Sequence, residues 1–580
     1  MSGTGSGWGD GTKELAEAAK ALRNGFKLGN QVALWMRARA ARKQLEAEFG
    51  REVADAVVAA IRAGKNYEVI LERARQSKRD REERENLLKS PPPLHGSARW
   101  ATAADLGSML QGREAFARNP SSILLGAHED PETRNVGFLH WDDVGHLLTV
   151  APTRAGKSVT TIVPNLLRYK GSMVVIDPKS ELYAQTSAWR AREVGPVYRI
   201  APFDQPGDPA TKGFPRHRFN PMMQVISDAD ARGLAGDLYA PDPRTSDFFR
   251  NDFMAMMAAA IRMTQERAPA DQQNLAALFG AINSGPDMLL RVFDAMEASD
   301  NPEIRTAGQS LKGKSKTTGL PTLGDSIRAA LGSFRDAAVC DTLSGSDFTF
   351  ESLKDRPATV YIDVPLHLIP TNASFLRLVL KNALNAMIRN RREPDIPVVF
   401  ILDEFLQLGN FDDFRTAIRT HAGSGVRLWF FVQDVAGLEE NYGPSWRTFF
   451  NCAVKQFFGV NDQATADMIS RSLGSQTVAY RSTNAGGNVT ASAGGIMGDG
   501  ASSNVSFSTG ESVQFLGRPL LTPEEVSRFL SGWSDNQRRE WRHGIVVANG
   551  VPPVQVRLFN SHYSENCRSR MGAQESSRPV

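Results

Sequence analysis

The chain has 580 residues, 41 % apolar and 23 % charged, a balance that suits roughly three or four globular domains and excludes a low-complexity or membrane-dominated protein. Lys and Arg number 68 against 64 Asp and Glu, so the net charge is only +4 and any basic surface for nucleic acid has to be local. The 3 cysteines, Cys340, Cys452 and Cys567, are scattered without CxxC spacing, which excludes a disulfide framework and a cysteine-built metal site.

Met1–Gly11 is rich in Gly and Ser and lacks the basic start and apolar core of a secretion signal. The apolar stretch that follows is broken by Arg37 and Arg39, short of the ~20 apolar residues of a membrane span. The expectation is a cytoplasmic chain with no integral membrane span. Residues 12–88 place apolar side chains at helical spacing, at Leu34, Trp35 and Met36 and again at Val53, Val57, Val58 and Ile61, with Gly50 and Gly64 as punctuation. Basic residues exceed acidic ones there. Such helices can lie on lipid or nucleic acid, although the commoner use is the solvated face of a hairpin. Pro91, Pro92 and Pro93 cannot continue a helix and mark a boundary.

Short strand and turn patterns lead to the stretch His146–Lys170, in which an apolar run reaches a small-residue loop and then a helical pattern. This is the layout of a phosphate-binding P-loop. Backbone N–H groups from Thr153, Arg154, Ala155, Gly156, Lys157, Ser158 and Val159 would face a polyphosphate, and the helix would point its positive end at the same place. Lys157 would neutralise the β and γ phosphates, and the Ser158 hydroxyl would hold Mg²⁺. Ala151 stands where the pattern GxxxxGK[ST] has its first glycine, so the loop entrance must take a conformation that alanine tolerates.

Beyond the loop, Ser172–Asp177 reads as a buried strand, a helix starts near Pro178, and Val197–Gly207 supplies another strand. Alternation of strand and helix implies a parallel sheet covered on both faces, an α/β fold. Residues 222–345 are almost entirely helical in pattern and read as an all-α domain inserted into the sheet domain. The basic run Lys312–Lys316 reads as a solvated loop, with contact to a phosphate backbone the rarer alternative. Strands resume at Ala358–Val364, at Ile396–Leu402, at Arg427–Val432 and at Cys452–Gly459. Residues 483–510 are rich in Gly, Ser, Asn and Ala and predict a mobile loop between two strands. Late strands surround Ile545–Val547 and Val554–Val556, and the tail from 561 to 580 is expected to be disordered.

Asp403 closes the apolar run Ile396–Leu402, the position of a Walker B carboxylate that binds the metal held by Ser158; Glu404 beside it would activate the attacking water. Gln433 ends the next strand, where it can sense a γ-phosphate. Phosphoryl transfer also profits from a cation supplied by a neighbouring subunit. Arg415, Arg419 and Arg427 lie between Glu404 and Gln433 and are candidates, with Arg419 the expected finger.

An ordered set of segments resembles the type IV coupling proteins, the TraG-like ATPases of conjugation and type IV secretion. The segments are LHGSARWATAADL, APTRAGKSVTTIVPNLL, VVIDPKSELYAQTSAWR, FNPM, SDFFRNDFMAMMAAAI, RPATVYIDVP, FILDEFLQLG, the VQD strand end, NCAVKQFFGVND and GRPLLTPEEV. The resemblance implies a RecA-like P-loop NTPase domain in two parts, 94–221 and 346–560, with the all-α insertion at 222–345 and a helical extension at 1–90 in place of the usual transmembrane region. It further implies ATP with Mg²⁺, a homo-hexameric ring, and DNA carried as a relaxase complex, or a secreted protein cargo, to the channel of a type IV secretion system. Attachment at the inner membrane would then come through a partner, through the helices of that extension lying on lipid, or not at all. The alternative is a recruitment adaptor for protein effectors that binds nucleotide with little turnover.

Overall fold

The computed structural model describes residues 39, 42–62, 68–204, 211–239, 247–490, 504–534 and 539–572. They fall into two compact units, one of residues 1–97 with 475–518 and one of residues 98–474 with 519–580.

The larger unit is built on a 12-stranded sheet. In chain order its strands are β1 (Leu110–Gln111), β2 (Ile123–Glu129), β3 (Val136–Trp141), β4 (Leu147–Val150), β5 (Met173–Ile176), β6 (Val197–Ile200), β7 (Thr359–Ile362), β8 (Val398–Leu402), β9 (Val426–Val432) and β10 (Val454–Phe457). The chain adds β11 (Ser475–Thr490) and β12 (Asn504–Pro519), which pair with each other, then β13 (Trp541–Ala548) and β14 (Val554–Phe559). The spatial order is β1-β3-β2-β14-β13-β10-β4-β9-β8-β5-β7-β6. From β10 to β6 every neighbouring pair is parallel; from β10 outward through β13, β14, β2 and β3 to β1 the pairs are antiparallel.

Alternation sorts the parallel strands' side chains between two cores. Leu148 and Val150, Val174 and Ile176, and Phe400 and Leu402 enter one core; Leu147, Met173, Val175, Val399 and Ile401 enter the other. Both faces are covered, which is why these strands read as continuous apolar runs. The fold is α/β, a mixed sheet with its parallel part flanked by helices.

Between β6 and β7 the described residues form helices, from Asp228–Leu238 through Asp247–Arg267 to Ala337–Thr342, with short turns between them. Leu234, Met257, Phe279, Phe293 and Ile327 belong to the same apolar cluster as Val150 and Phe400. The helical region therefore shares a core with one face of the sheet instead of closing on one of its own. The basic run near Lys312 is the end of a helix, Pro302–Lys314, and not a loop. Lys312 is paired with Asp294 at 2.8 Å and Glu297 at 2.6 Å, and Lys314 with Asp252.

In the smaller unit the helix Arg51–Arg62 and residues 42–49 bury Leu45, Ala54, Val57 and Ala60 against Leu71 of the helix Glu68–Lys89. Two expectations are corrected here. The extension at 1–90 does not stand alone, because β11 and β12 belong to the same unit: His95 N–H donates to Thr477 Oγ1 at 3.0 Å and Ser97 bridges Gln476. Nor is 483–510 a loop throughout, since β11 runs to Thr490 and β12 starts at Asn504; residues 491–503 lie outside the described part. A two-stranded ribbon is held by backbone bonds, which Gly, Ser and Asn can make as well as apolar residues.

The tail is also corrected. Residues 561–572 pack on the larger unit: Ser561 N–H donates to Val159 O at 2.8 Å, Arg570 to Leu167 O at 2.9 Å and Gly572 N–H to Gln185 O at 3.0 Å. Backbone acceptors bind this segment, and they leave no mark in an apolar pattern. Residues 573–580 are outside the described part.

Candidate functional site

Parallel strands open all their C-terminal ends on one edge of a sheet. Val150 of β4 lies opposite Val432 of β9, and Phe430 of β9 opposite Leu402 of β8. The residues that leave these ends, Ala151, Gln433 and Asp403, therefore meet on one edge although they are far apart in sequence.

Ala151 is fully buried, and its N–H extends the ladder to Val432 O at 2.9 Å. The loop's left-handed residues are Arg154 (φ 63°) and Gly156 (φ 88°). Because the turn is made there, its entrance accepts alanine. Ser158 opens the following helix with a π turn, Ser158–Ile162, before the α-helical turn Val163–Leu166. Within that turn Val159 O is taken by Ser561 from the C-terminal segment. π turns are rare and gather at functional sites.

Lys157 is buried, with its ammonium 3.9 Å from Asp403 Oδ1 and 3.9 Å from Glu404 Oε1. Burial pushes the Asp403 carboxyl up to about 6; Lys157 opposes the shift and the Glu404 charge adds to it. Glu404 has a left-handed φ of 53°, and its N–H donates to Asp403 Oδ1 at 3.1 Å. Both carboxylates face Lys157, and Glu404 also reaches Gln433. Glu404 Oε2 accepts from Gln433 Nε2 at 3.3 Å, and Gln433 Oε1 accepts from Thr153 Oγ1 at 2.9 Å. Lys157 faces both carboxylates, and Lys179 adds a second positive charge that acts on Asp403. A hydroxyl at Ser158 and a carboxylate at Asp403 are the oxygen donors a hard cation such as Mg²⁺ takes, since it is commonly held by one or two carboxylates together with phosphate oxygens. The residues present fit that ion. Among the described residues there is no cluster of three His, Cys, Asp or Glu that would make a site from protein ligands alone.

The three arginines differ in place. Arg427 is buried; it donates to Ser121 O at 3.0 Å and to Asp142 O, so it is structural and is withdrawn as a finger candidate. Arg415 is paired with Asp412 at 2.7 Å. Arg419 is exposed in the last turn of the helix Asp412–Thr420, which leads to the start of β9, the opposite end of that strand from Gln433.

Two residues that shape the loop carry no motif. Arg542 of β13 is buried and donates to Ala155 O at 2.6 Å and Leu530 O at 2.8 Å. Its guanidinium lies 5.1 Å from the ring of Trp533, and that ring covers Gly156 so closely that a Cβ there would meet it at 2.9 Å. The one signal available was alternation: in Trp541–Ala548 an arginine shares the inward register of Gly544, Val546 and Ala548. Further along the edge, Asp177 caps the helix Glu181–Glu193 by accepting from Tyr183 N–H at 2.7 Å, and burial pushes its carboxyl up to about 7.

Residues 112–574 match the family described as type IV secretory system, conjugative DNA transfer. Protein VirD4 of Rhizobium rhizogenes is 27 % identical over 498 residues, 82 % of this chain and 67 % of that protein. The conjugal transfer protein TraG of Escherichia coli is 27 % identical over 521 residues, 81 % of this chain and 76 % of that protein. Among solved structures, the bacterial conjugative coupling protein TrwB in its trigonal form with sulphate aligns at a TM-score of 0.52 and 16 % identity, over 80 % of this chain and 93 % of that one. TrwB with a non-hydrolysable ATP analogue aligns at 0.50 and 15 % identity, over 80 % and 93 %. These likenesses carry the fold, a RecA-like α/β domain with helical parts. Among the described residues no helix is long and apolar enough to cross a membrane. With the family matched over most of its length, the chain belongs to the type IV secretory system conjugative DNA transfer family, the type IV coupling proteins.

Proposed function

We propose that this chain hydrolyses ATP with Mg²⁺ and uses the reaction to move DNA, as a relaxase complex, or a secreted protein, toward the channel of a type IV secretion system, working as a ring of six. The observation that carries the reading is the meeting of Lys157, Asp403, Glu404 and Gln433 at adjacent strand ends. A structure of similar fold, TrwB, was solved with a non-hydrolysable ATP analogue, which supports a nucleoside triphosphate at this site.

The N–H groups from Thr153 to Val159 and the Lys157 ammonium hold the phosphates. Ser158 and Asp403 would hold Mg²⁺, which when bound would neutralise phosphate charge. Glu404 takes the proton of the attacking water, and Gln433 holds that water and the γ-phosphate in register. Arg419 is offered to the site of a neighbouring subunit.

Glu404→Gln tests this. It keeps the shape of the site and removes the base, so nucleotide binding persists while turnover, measured with and without DNA, falls about 10²- to 10⁴-fold. Unchanged turnover in the variant overturns the mechanism. A wild-type protein that binds ATP and turns it over at no measurable rate, with or without DNA, is instead the recruitment adaptor.

A further inference from the structure

The contact between Thr153 and Gln433 joins the phosphate-binding loop to the proposed base. A carboxylate can only accept hydrogen bonds, so the side of Gln433 that meets Glu404 has to be its NH₂ group. The two ends of a glutamine amide are almost equal in shape, and only their partners fix which way the group lies. Here the second partner is a hydroxyl: Thr153 Oγ1 donates to Gln433 Oε1 at 2.9 Å, and Gln433 Nε2 then donates to Glu404 Oε2 at 3.3 Å. The other oxygen of Glu404 faces Lys157 at 3.9 Å. The chain of donors thus runs in one direction, from the loop, through the end of β9, to the carboxylate beyond β8.

We propose that Thr153 is a positioning residue: its hydroxyl locks the Gln433 amide with NH₂ toward Glu404 and so ties the orientation of the base to the conformation of the P-loop. This rests on the reading of Glu404 as the base. Thr153 stands next to Arg154, whose left-handed φ of 63° is part of the turn that shapes the loop. A loop rearranged around phosphate moves Thr153, and with it the acceptor that holds Gln433. When the hydroxyl withdraws, the Gln433 amide loses one of its two anchors; its NH₂ group still favours Glu404, but the side chain is no longer held in place, and Glu404 loses a fixed donor.

Thr153→Val keeps the β-branched shape and removes the donor; Thr153→Ser keeps the donor. The expected result for Thr153→Val is turnover at saturating ATP lowered about five- to tenfold, the equivalent of one hydrogen bond. ATP affinity should change less than about twofold, and Thr153→Ser should return close to wild type. In a Gln433→Ala background Thr153→Val should cost nothing further, because the partner it acts through is gone. Wild-type turnover in Thr153→Val overturns the proposal, as does full additivity with Gln433→Ala. So does a loss confined to ATP affinity, which would place the hydroxyl on the nucleotide. Glu404→Gln run in parallel separates the two ideas: if it keeps full turnover, the base is wrong, whereas a loss there with a silent Thr153→Val condemns only the relay.

Discussion

Gly156 is the position at which the loop has least freedom. Its φ of 88° is cheap for glycine alone, and the Trp533 ring occupies the space a Cβ would need. Gly156→Ala therefore carries about 1–2 kcal/mol of backbone cost before the ring moves. The expected outcome is ATP affinity lowered at least about tenfold in a direct titration, with the rest of the fold intact. Ala151 needs no such test: its neighbours carry the turn, and the departure from the usual glycine has no conformational consequence. The glycine and lysine of the loop were legible because phosphate binding demands those residue types at that spacing. Arg542 and Trp533 were not, because they act on the loop from a distant strand and from an isolated bridge paired with it, and neither belongs to a run that advertises its neighbours.

At the scale of the element, the strand that delivers the loop rests on buried polar groups. Thr149 of β4 donates to Gln456 Oε1 of β10 at 3.1 Å and accepts from Trp429 Nε1 of β9 at 2.9 Å. His146, just before β4, accepts from Leu428 N–H through Nδ1 at 3.0 Å, and burial pulls its imidazole down to about 4. The sign follows from that depression. An unfolded chain protonates this histidine near its ordinary 6.5, while the folded chain resists until about 4, so the unfolded state gains protons first as pH falls. Asn can present its oxygen where Nδ1 stood, without titrating. Compared with His146→Asn, the wild type should lose about 1.4 kcal/mol of stability per pH unit between those two values and nothing above 6.5. Denaturant unfolding at a series of pH values measures it, and taking the difference between the two proteins cancels the buried carboxyls Asp177 and Asp237, whose raised pKa values act in the opposite direction. Strands such as β8 and β9 were legible as apolar runs because both their faces are buried. The ribbon β11–β12 was not, because its composition lacks that signal.

At the scale of the whole molecule, the prediction concerns assembly. Arg419, exposed in the helix that leads to the start of β9, is proposed to act on the site of a neighbouring subunit. A six-subunit species should appear with Mg²⁺ and ATP, or with DNA added, and mass measurement in solution checks it. Arg419→Ala should leave that species intact and lower turnover by about 10³-fold, the typical contribution of such a residue. A mixture of Arg419→Ala chains with Glu404→Gln chains should regain part of the activity, since an intact arginine can then face an intact base. Absence of that recovery, with assembly retained, would remove Arg419 from the role.

The sequence by itself determined the class of fold and the chemical parts. A loop for phosphate, an acid pair at the end of an apolar strand and a glutamine at the end of the next are local patterns, each set by the residue types its task requires. Only the tertiary structure decided how those parts meet. Parallel pairing of β4, β9 and β8 brings their ends to one edge, and with a left-handed turn at Glu404 two adjacent carboxylates both face Lys157 while Glu404 also reaches Gln433. It also decided what packs against the loop, an arginine from β13, a tryptophan and a C-terminal segment bound through backbone carbonyls. Those contacts depend on backbone positions brought together from distant parts of the chain, and residue order alone holds no record of that distance.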